Sequence, residues 1–191
     1  MKYLKAYKLF ESKEDIDYIS LILSNLSDTA PIVLDKSLDD NLIVFDLNVT
    51  NKDYDEDEML SAIGRLEDEG WTLLNKARDA KKTSYDNITL DDTVYCSVIK
   101  TSILNGLESK GIKLWKDLQW NEWDLNKSTN SNCLHSKFKS SKGEMISIID
   151  GTGKGNNQIN WIEIYNFEHL GAEARFSNPV EAEVYLIKIQ M

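Results

Sequence analysis

The sequence predicts an α+β protein: helices packed on an antiparallel or mixed sheet, a β-rich second half and a C-terminal helix. Three observations predict it. Two capped segments in the first 70 residues carry apolar stripes at helical spacing, residues 41 to 49 alternate with a period of two, and short β-rich runs follow one another after residue 112. We expect one compact unit with an acidic α+β sub-region over 1–80 and a second sub-region over 81–191, which begins with a helix.

Ser12 stands as N-cap of the first helix, with Asp15 at its third helical position to meet the exposed N–H groups. Ile16, Ile19, Leu23 and Leu26 recur at spacings of three and four, which puts one apolar stripe along it. Two strands are expected next, "PIVLD" at 31–35 and "NLIVFDLNV" at 41–49. In the second, Ile43, Phe45, Leu47 and Val49 alternate with Val44, Asp46 and Asn48. The short polar "KSLDDN" between them predicts an antiparallel pair.

Asp55 as cap and Glu58 three residues on open a second helix with a capping-box arrangement. Met59, Ile63 and Leu66 supply its stripe, and Gly70 ends it. "WTLLN" at 71–75 returns as a strand, and the polar "NKARDAKKTSYDN" reads as a loop. For "LDDTVYCSVIKTSILNGLESKG" the two periods compete. Tyr95, Ile99, Ile103 and Leu107 at steps of four, with Gly111 as C-cap, favour a helix over about 91–110. Beyond it, "IKLWKDLQW", "LHSKFKS", "MISIID", "INWIEIYNF" and "EARF" read as antiparallel strands. In "SNPVEAEVYLIKIQ" both periods are present again. Asn178, Pro179 and Glu181 form a helix-start signature, and Val180, Val184 and Ile187 form the stripe, so a helix is expected.

Composition narrows the function. The 191 residues carry a net charge of −10, most of it in the first 80 residues, where 18 Asp and Glu face 9 Lys and Arg. Such a surface opposes duplex nucleic acid, because phosphate neutralisation needs basic residues in quantity, and it suits a basic protein partner. No run of about 18 apolar residues occurs and the start lacks a secretory pattern, so a soluble cytoplasmic chain without membrane contact is expected. Cys96 and Cys133 are too few and too far apart for a disulfide framework or zinc site, which predicts reduced thiols.

The stretch nearest to a catalytic motif is "IIDGTGKGNNQ" at 148–158. A phosphate loop of the Gly-x4-Gly-Lys-Ser/Thr type has Ile148 where its first glycine should stand and Gly155 where its hydroxyl should stand. A strand-like run follows it rather than the helix whose N-terminus would face the anion. The stretch therefore reads as a hairpin connection, with Lys154 left as a candidate anion contact. Asp53, Asp55 and Asp57 suggest a calcium loop, but Glu58 and Gly64 occupy the positions that need glycine and glutamate, so they read as helix-capping acids. Cys133 and His135 would share a strand face, yet no glycine elbow or helix start follows Cys133 to lower its pKa, and His169 stands without catalytic company. No catalytic residue, metal site or cofactor is assigned.

Four of the five tryptophans fall between residues 115 and 161. Trp115, Trp120 and Trp123 precede an acid-free stretch from Asn126 to Lys142 that contains Lys137 and Lys139. Aromatic residues interleaved with lysines can stack bases or sugars and neutralise phosphates. They also fill cores beneath lysine-bearing strand edges. The candidate binding residues are thus Trp115, Trp120, Trp123, Lys137, Lys139 and Lys154.

The opening "MKYLKAYKLFESKEDID", followed by an apolar helix and "LSD", resembles the first 30 or so residues of short uncharacterised accessory proteins of tailed bacteriophages and marine bacteria. That resemblance implies an accessory protein acting in a bacterial cytosol or within a virion. The expected function is non-enzymatic binding of another macromolecule, as an inhibitor of a host or defence factor or as a virion component, with a homo-oligomer one form it would take. The alternatives are an enzyme acting on a nucleotide or nucleic acid, built from Asp46, Asp150 and Lys154, and a single-strand nucleic-acid or glycan binder using the Trp/Lys surface.

Overall fold

The computed structural model describes residues 15–51, 54–82, 89–124, 132–152, 161–166 and 173–191. The chain separates into two compact units, Met1–Leu104 and Asn105–Met191. The expected N-cap Ser12, the aspartate Asp53, the loop lysine Lys154 and His169 lie outside the described residues.

The first unit opens with helix α1, described over 15–24. Strands β1 (Ile32–Ser37) and β2 (Leu42–Asn48), helix α2 (Glu56–Asp68), and strands β3 (Trp71–Lys82) and β4 (Thr89–Lys100) follow. The strands form one antiparallel sheet in the order β1-β2-β4-β3. Two helix-strand-strand halves thus meet at the central antiparallel pair β2 and β4. Their helices share one face of the sheet. Ile19, Ile22, Leu23 and Leu26 from the α1 region and Met59, Ala62 and Leu66 from α2 close on Ile43, Phe45, Leu47, Val94, Cys96 and Val98. Each fully buried side chain of this size contributes about 1.5–3 kcal/mol, which makes this contact the main stabiliser of the unit.

Turn and cap chemistry set the element ends. Asp55 caps α2 by accepting from the Asp57 N–H at 2.8 Å. Gly70, at φ +78°, ends the helix in the left-handed conformation. The β1–β2 turn is costlier, because Leu38, Asp39 and Asp40 all hold positive φ of 56°, 56° and 64°. Asn41 offsets part of that cost by donating its side-chain amide to the Leu38 carbonyl at 2.5 Å and the Asp39 carbonyl at 3.3 Å.

Three expectations are corrected here. The segment expected as a helix over 91–110 is strand β4 followed by a shorter helix, α3 (Thr101–Ser109). β4 lies between β2 and β3; Val94, Cys96 and Val98 are buried against the helices, and Ser97 and Ile99 are buried on the opposite face, so its second half is covered on both sides. A strand buried on both sides loses the period of two that would have distinguished it from a helix. Gly111, at φ +72°, does end α3: its N–H bonds Glu108 O, and the Ile112 N–H bonds Leu107 O. The polar segment after Asn75 is not loop up to Lys82 but the outer half of edge strand β3, where Arg78 and Asp79 are exposed. "IKLWKDLQW" is not a strand, and it contains a single 3-10 turn over Trp115–Asp117.

The second unit holds five antiparallel strands in sequence order: β5 (Asn121–Asp124), β6 (Asn132–Lys139), β7 (Met145–Asp150), β8 (Ile162–Asn166) and β9 (Glu173–Phe176). Helix α4 (Pro179–Gln190) packs on β8 and β9. Ala182 and Leu186 meet Leu118, Ile146, Ile148, Ile162 and Ile164 in its core. The Asn178 side chain accepts from the N–H groups of Val180 and Glu181 at 3.1 and 3.0 Å, as the helix-start signature predicts. Val180, Ala182, Glu183, Val184, Leu186, Ile187 and Gln190 are all buried, which explains why both periods could be read in this segment. Two of its polar residues tie the 113–115 segment to the helix. Glu183 accepts from the Trp115 N–H at 3.0 Å, while Gln190 accepts from the Lys113 N–H and donates to the Lys113 carbonyl, each at 2.9 Å.

Candidate binding surfaces

The helical face of the first unit follows from the way α2 is built. Its apolar positions point Met59, Ala62 and Leu66 into the core, so Glu56, Asp57, Glu58, Glu67, Asp68 and Glu69 are left exposed, with Arg65 among them. Glu56 is engaged by Lys76 at 2.5 Å, and Glu69 accepts from Tyr18 Oη at 3.4 Å. Asp17 and Leu21 on α1 and Leu60 on α2 are exposed as well. A groove of about 400 Å³ lined by Asn25, Leu26, Glu58, Ser61 and Arg65 runs between the two helices. The result is a solvent-facing layer that is acidic at both ends of α2 and apolar in places between them.

A second cluster of chemistry stands on the second sheet. Along β8, Ile162 and Ile164 face α4, so Trp161, Glu163 and Tyr165 lie on the opposite face. Glu163 accepts from Trp161 Nε1 at 2.8 Å, from Arg175 Nε at 2.7 Å and from Tyr165 Oη. Burial raises the Glu163 pKa, but the hydrogen bonds from Tyr165, Trp161 and Arg175 outweigh it and leave the carboxyl below its ordinary value. The Arg175 guanidinium lies 5.3 Å from the centre of the Trp161 ring. On the same face, His135 Nε2 meets Ser147 Oγ at 2.8 Å.

Cys133 and His135 do share this face, as their spacing predicts. Burial and then Asp150 and Glu163 push the Cys133 thiol pKa up, while burial and Lys137 push the His135 pKa down. A nucleophilic pair needs an accessible thiolate beside an imidazolium, and both shifts run the other way.

The predicted binding residues are distributed as follows. Trp115 and Trp120 come together with ring centroids 5.1 Å apart and pack, half-buried, against the core beneath α4. Trp123 lies on β5, paired in register with Cys133. Lys137 and Lys139 are exposed on β6, and Lys137 also borders a cavity of about 220 Å³ with Asp117, Gln119 and Phe138. Asp46 lines a polar cavity of about 280 Å³ in the first unit with Asn48, Asp79, Thr93 and Tyr95. Asp150 belongs to the second unit, where its Oδ1 accepts from the Thr152 N–H and hydroxyl at 2.9 and 2.6 Å.

"IIDGTGKGNNQ" leaves β7, and antiparallel β8 follows it, with the Gly151 N–H bonded to Trp161 O at 3.1 Å at the base of the connection. The sequence did not single out Glu163, Tyr165, Arg175 or Ser147. Strict alternation in "WIEIY" was the signal that could have found the first two.

Among the described residues, no group of three or more His, Cys, Asp or Glu side chains is gathered to hold a metal ion. No described helix is long and apolar enough to cross a membrane. Compared with known proteins, the chain matches no family model, no curated protein and no solved structure.

Proposed function

We propose that this chain is a non-enzymatic accessory protein, of phage or bacterial origin, that works in the cytosol or in a virion by binding a basic protein. The contact surface is the helical layer of the first unit. The observation that carries this proposal is α2, whose two ends expose three acids each while its opposite stripe is fully buried. A helix whose packing needs are met by one face leaves the other free to serve recognition. Opposite charge steers a basic partner onto it and sets orientation, and exposed Leu60 and Leu21 supply apolar contact once the charges are in place. The pKa directions at Cys133 and His135 weigh against Cys–His chemistry on the second sheet.

The test compares the native chain with a Glu67→Gln, Asp68→Asn, Glu69→Gln variant as bait for basic bacterial proteins at low and high salt. Capture by the native chain at low salt, weakened by salt and by the three substitutions, is the expected result. Equal capture by both chains, or salt-independent assembly of the chain with itself into a symmetric oligomer, overturns the proposal in favour of a structural component.

A further inference from the structure

The outer face of the second sheet carries a different chemistry from the acidic helices. Alternation along each strand fixes its membership: Cys133, His135, Lys137 and Lys139 on β6, Met145, Ser147 and Ile149 on β7, Glu163 and Tyr165 on β8, and the Glu173 and Arg175 positions on β9. Trp161 joins them just before β8. Lys137 and Lys139 are exposed, and 60% of the Arg175 side chain is open to solvent.

Glu163 organises the middle of this face. By accepting from the residues two positions before and two after it in the chain, it draws the Trp161 indole and the Tyr165 phenol toward itself. Its bond to Arg175 Nε holds that guanidinium over the Trp161 ring. Arg175 and Glu163 offset each other's charge, so what the cluster offers outward is a planar guanidinium and aromatic rings, with further positive charge on Lys137 and Lys139.

Register sets the spacing. Arg175 pairs with Glu163, Glu163 with Ile149, and Ile149 with His135, so three strand intervals separate β9 from β6. At strand spacing, this places Arg175 about 14 Å from the His135 position, while Lys137, two residues further along β6, lies in line with Ser147 and Tyr165, so Tyr165 stands between the lysines and the Arg175–Trp161 pair. That span fits about three to four stacked bases, with phosphates reaching the cations at either side.

We propose that this face binds single-stranded nucleic acid, with bases stacking on the Arg175–Trp161 pair and Tyr165 and the backbone neutralised by Lys137, Lys139 and Arg175. Charge complementarity selects this occupant over a neutral glycan, which gains nothing from three cations around the aromatic residues. A single strand is required because paired bases hide the ring faces that such a platform reads. Each phosphate contact made by a lysine or arginine releases counterions, so binding weakens as salt rises, while salt also screens the repulsion from the acidic first unit.

The experiment titrates the full chain into a labelled oligothymidylate and follows anisotropy, with a duplex and a neutral oligosaccharide as controls. We expect saturable binding at low salt. Arg175→Lys should weaken it about fivefold or more, because lysine keeps the charge and loses the stacked planar group. A Lys137→Gln, Lys139→Gln variant should bind more weakly and with a smaller salt slope. Cooperative urea unfolding of each variant shows that it is folded. The Glu67→Gln, Asp68→Asn, Glu69→Gln variant should bind the oligonucleotide as well as the native chain or better, which separates this proposal from the one for the helical layer. No anisotropy change up to about 0.1 mM protein, equal binding of duplex, or native affinity in both sheet variants overturns the assignment. A response to the oligosaccharide alone overturns it in favour of a sugar site.

Discussion

Replacing Glu163 by Gln tests whether this carboxylate is the brace of the second sheet. Its side chain is only 13% exposed and accepts from Trp161, Tyr165 and Arg175. The amide oxygen can keep Trp161 and Arg175 while its NH2 group meets Tyr165, whose hydroxyl must turn from donor to acceptor, and none of the three bonds is any longer made to a charged carboxylate. Hydrogen bonds to a charged group contribute about 1.5–3 kcal/mol, and Arg175 is exposed enough for solvent to weaken its share, so we expect a loss of about 2 kcal/mol at pH 7. For a unit of this size, that lowers Tm by about 10 °C.

The pH dependence follows from the depressed pKa. The folded carboxyl titrates below the ordinary 4.5, so its stabilisation is present in full above that value and is lost as pH falls through the lower folded pKa. Urea unfolding followed by tryptophan fluorescence reads this directly, since Trp115, Trp120, Trp123 and Trp161 all belong to the second unit. The gap between native and Glu163→Gln chains should narrow as the pH is taken from 7 to about 3. A gap of the same size at both pH values, or no gap at pH 7, refutes the brace.

Gln190→Ala removes an amide that bonds the Lys113 N–H, the Lys113 carbonyl and the Leu186 carbonyl, and should cost about 2–3 kcal/mol in a urea titration. Leu38→Gly relieves a positive φ in a residue with a Cβ, so the urea midpoint should rise by the equivalent of about 1 kcal/mol. Cys96 is fully buried with its thiol pKa pushed up to about 12, so a thiol reagent at pH 8 should modify it only at the rate of unfolding. Phe45→Ala opens the contact between the helices and the first sheet and should cost about 3–5 kcal/mol, read as the loss of cooperative unfolding at a lower urea concentration.

Where one face of an element met solvent, the sequence was readable. α2 and the end of α3 at Gly111 could be placed from caps and glycines, and the β7–β8 connection from a glycine-rich run between two alternating segments. β4 differs from its expected helix because Cys96 to Ile99 are buried on both faces, and burial on both sides erases the period that distinguishes strand from helix. The outer half of β3 was misread for the opposite reason: an edge strand held by its neighbour's backbone can carry Lys76, Arg78, Lys81 and Lys82 and look like a loop. At the second sheet, Cys133 and His135 could be placed on a common face from their spacing. Arg175 could not, because its meeting with Glu163 depends on the register between two strands, which local sequence does not encode.

Recognition of a basic partner is proposed to lie in the acidic layer of the first unit. Amide hydrogen exchange of the full chain, with and without a lysine-rich peptide at low salt, tests it most directly. The account predicts added protection over Glu56–Glu69 that disappears at high salt and in the Glu67→Gln, Asp68→Asn, Glu69→Gln variant. Protection confined to the second unit, or unchanged by salt and by those substitutions, would contradict it.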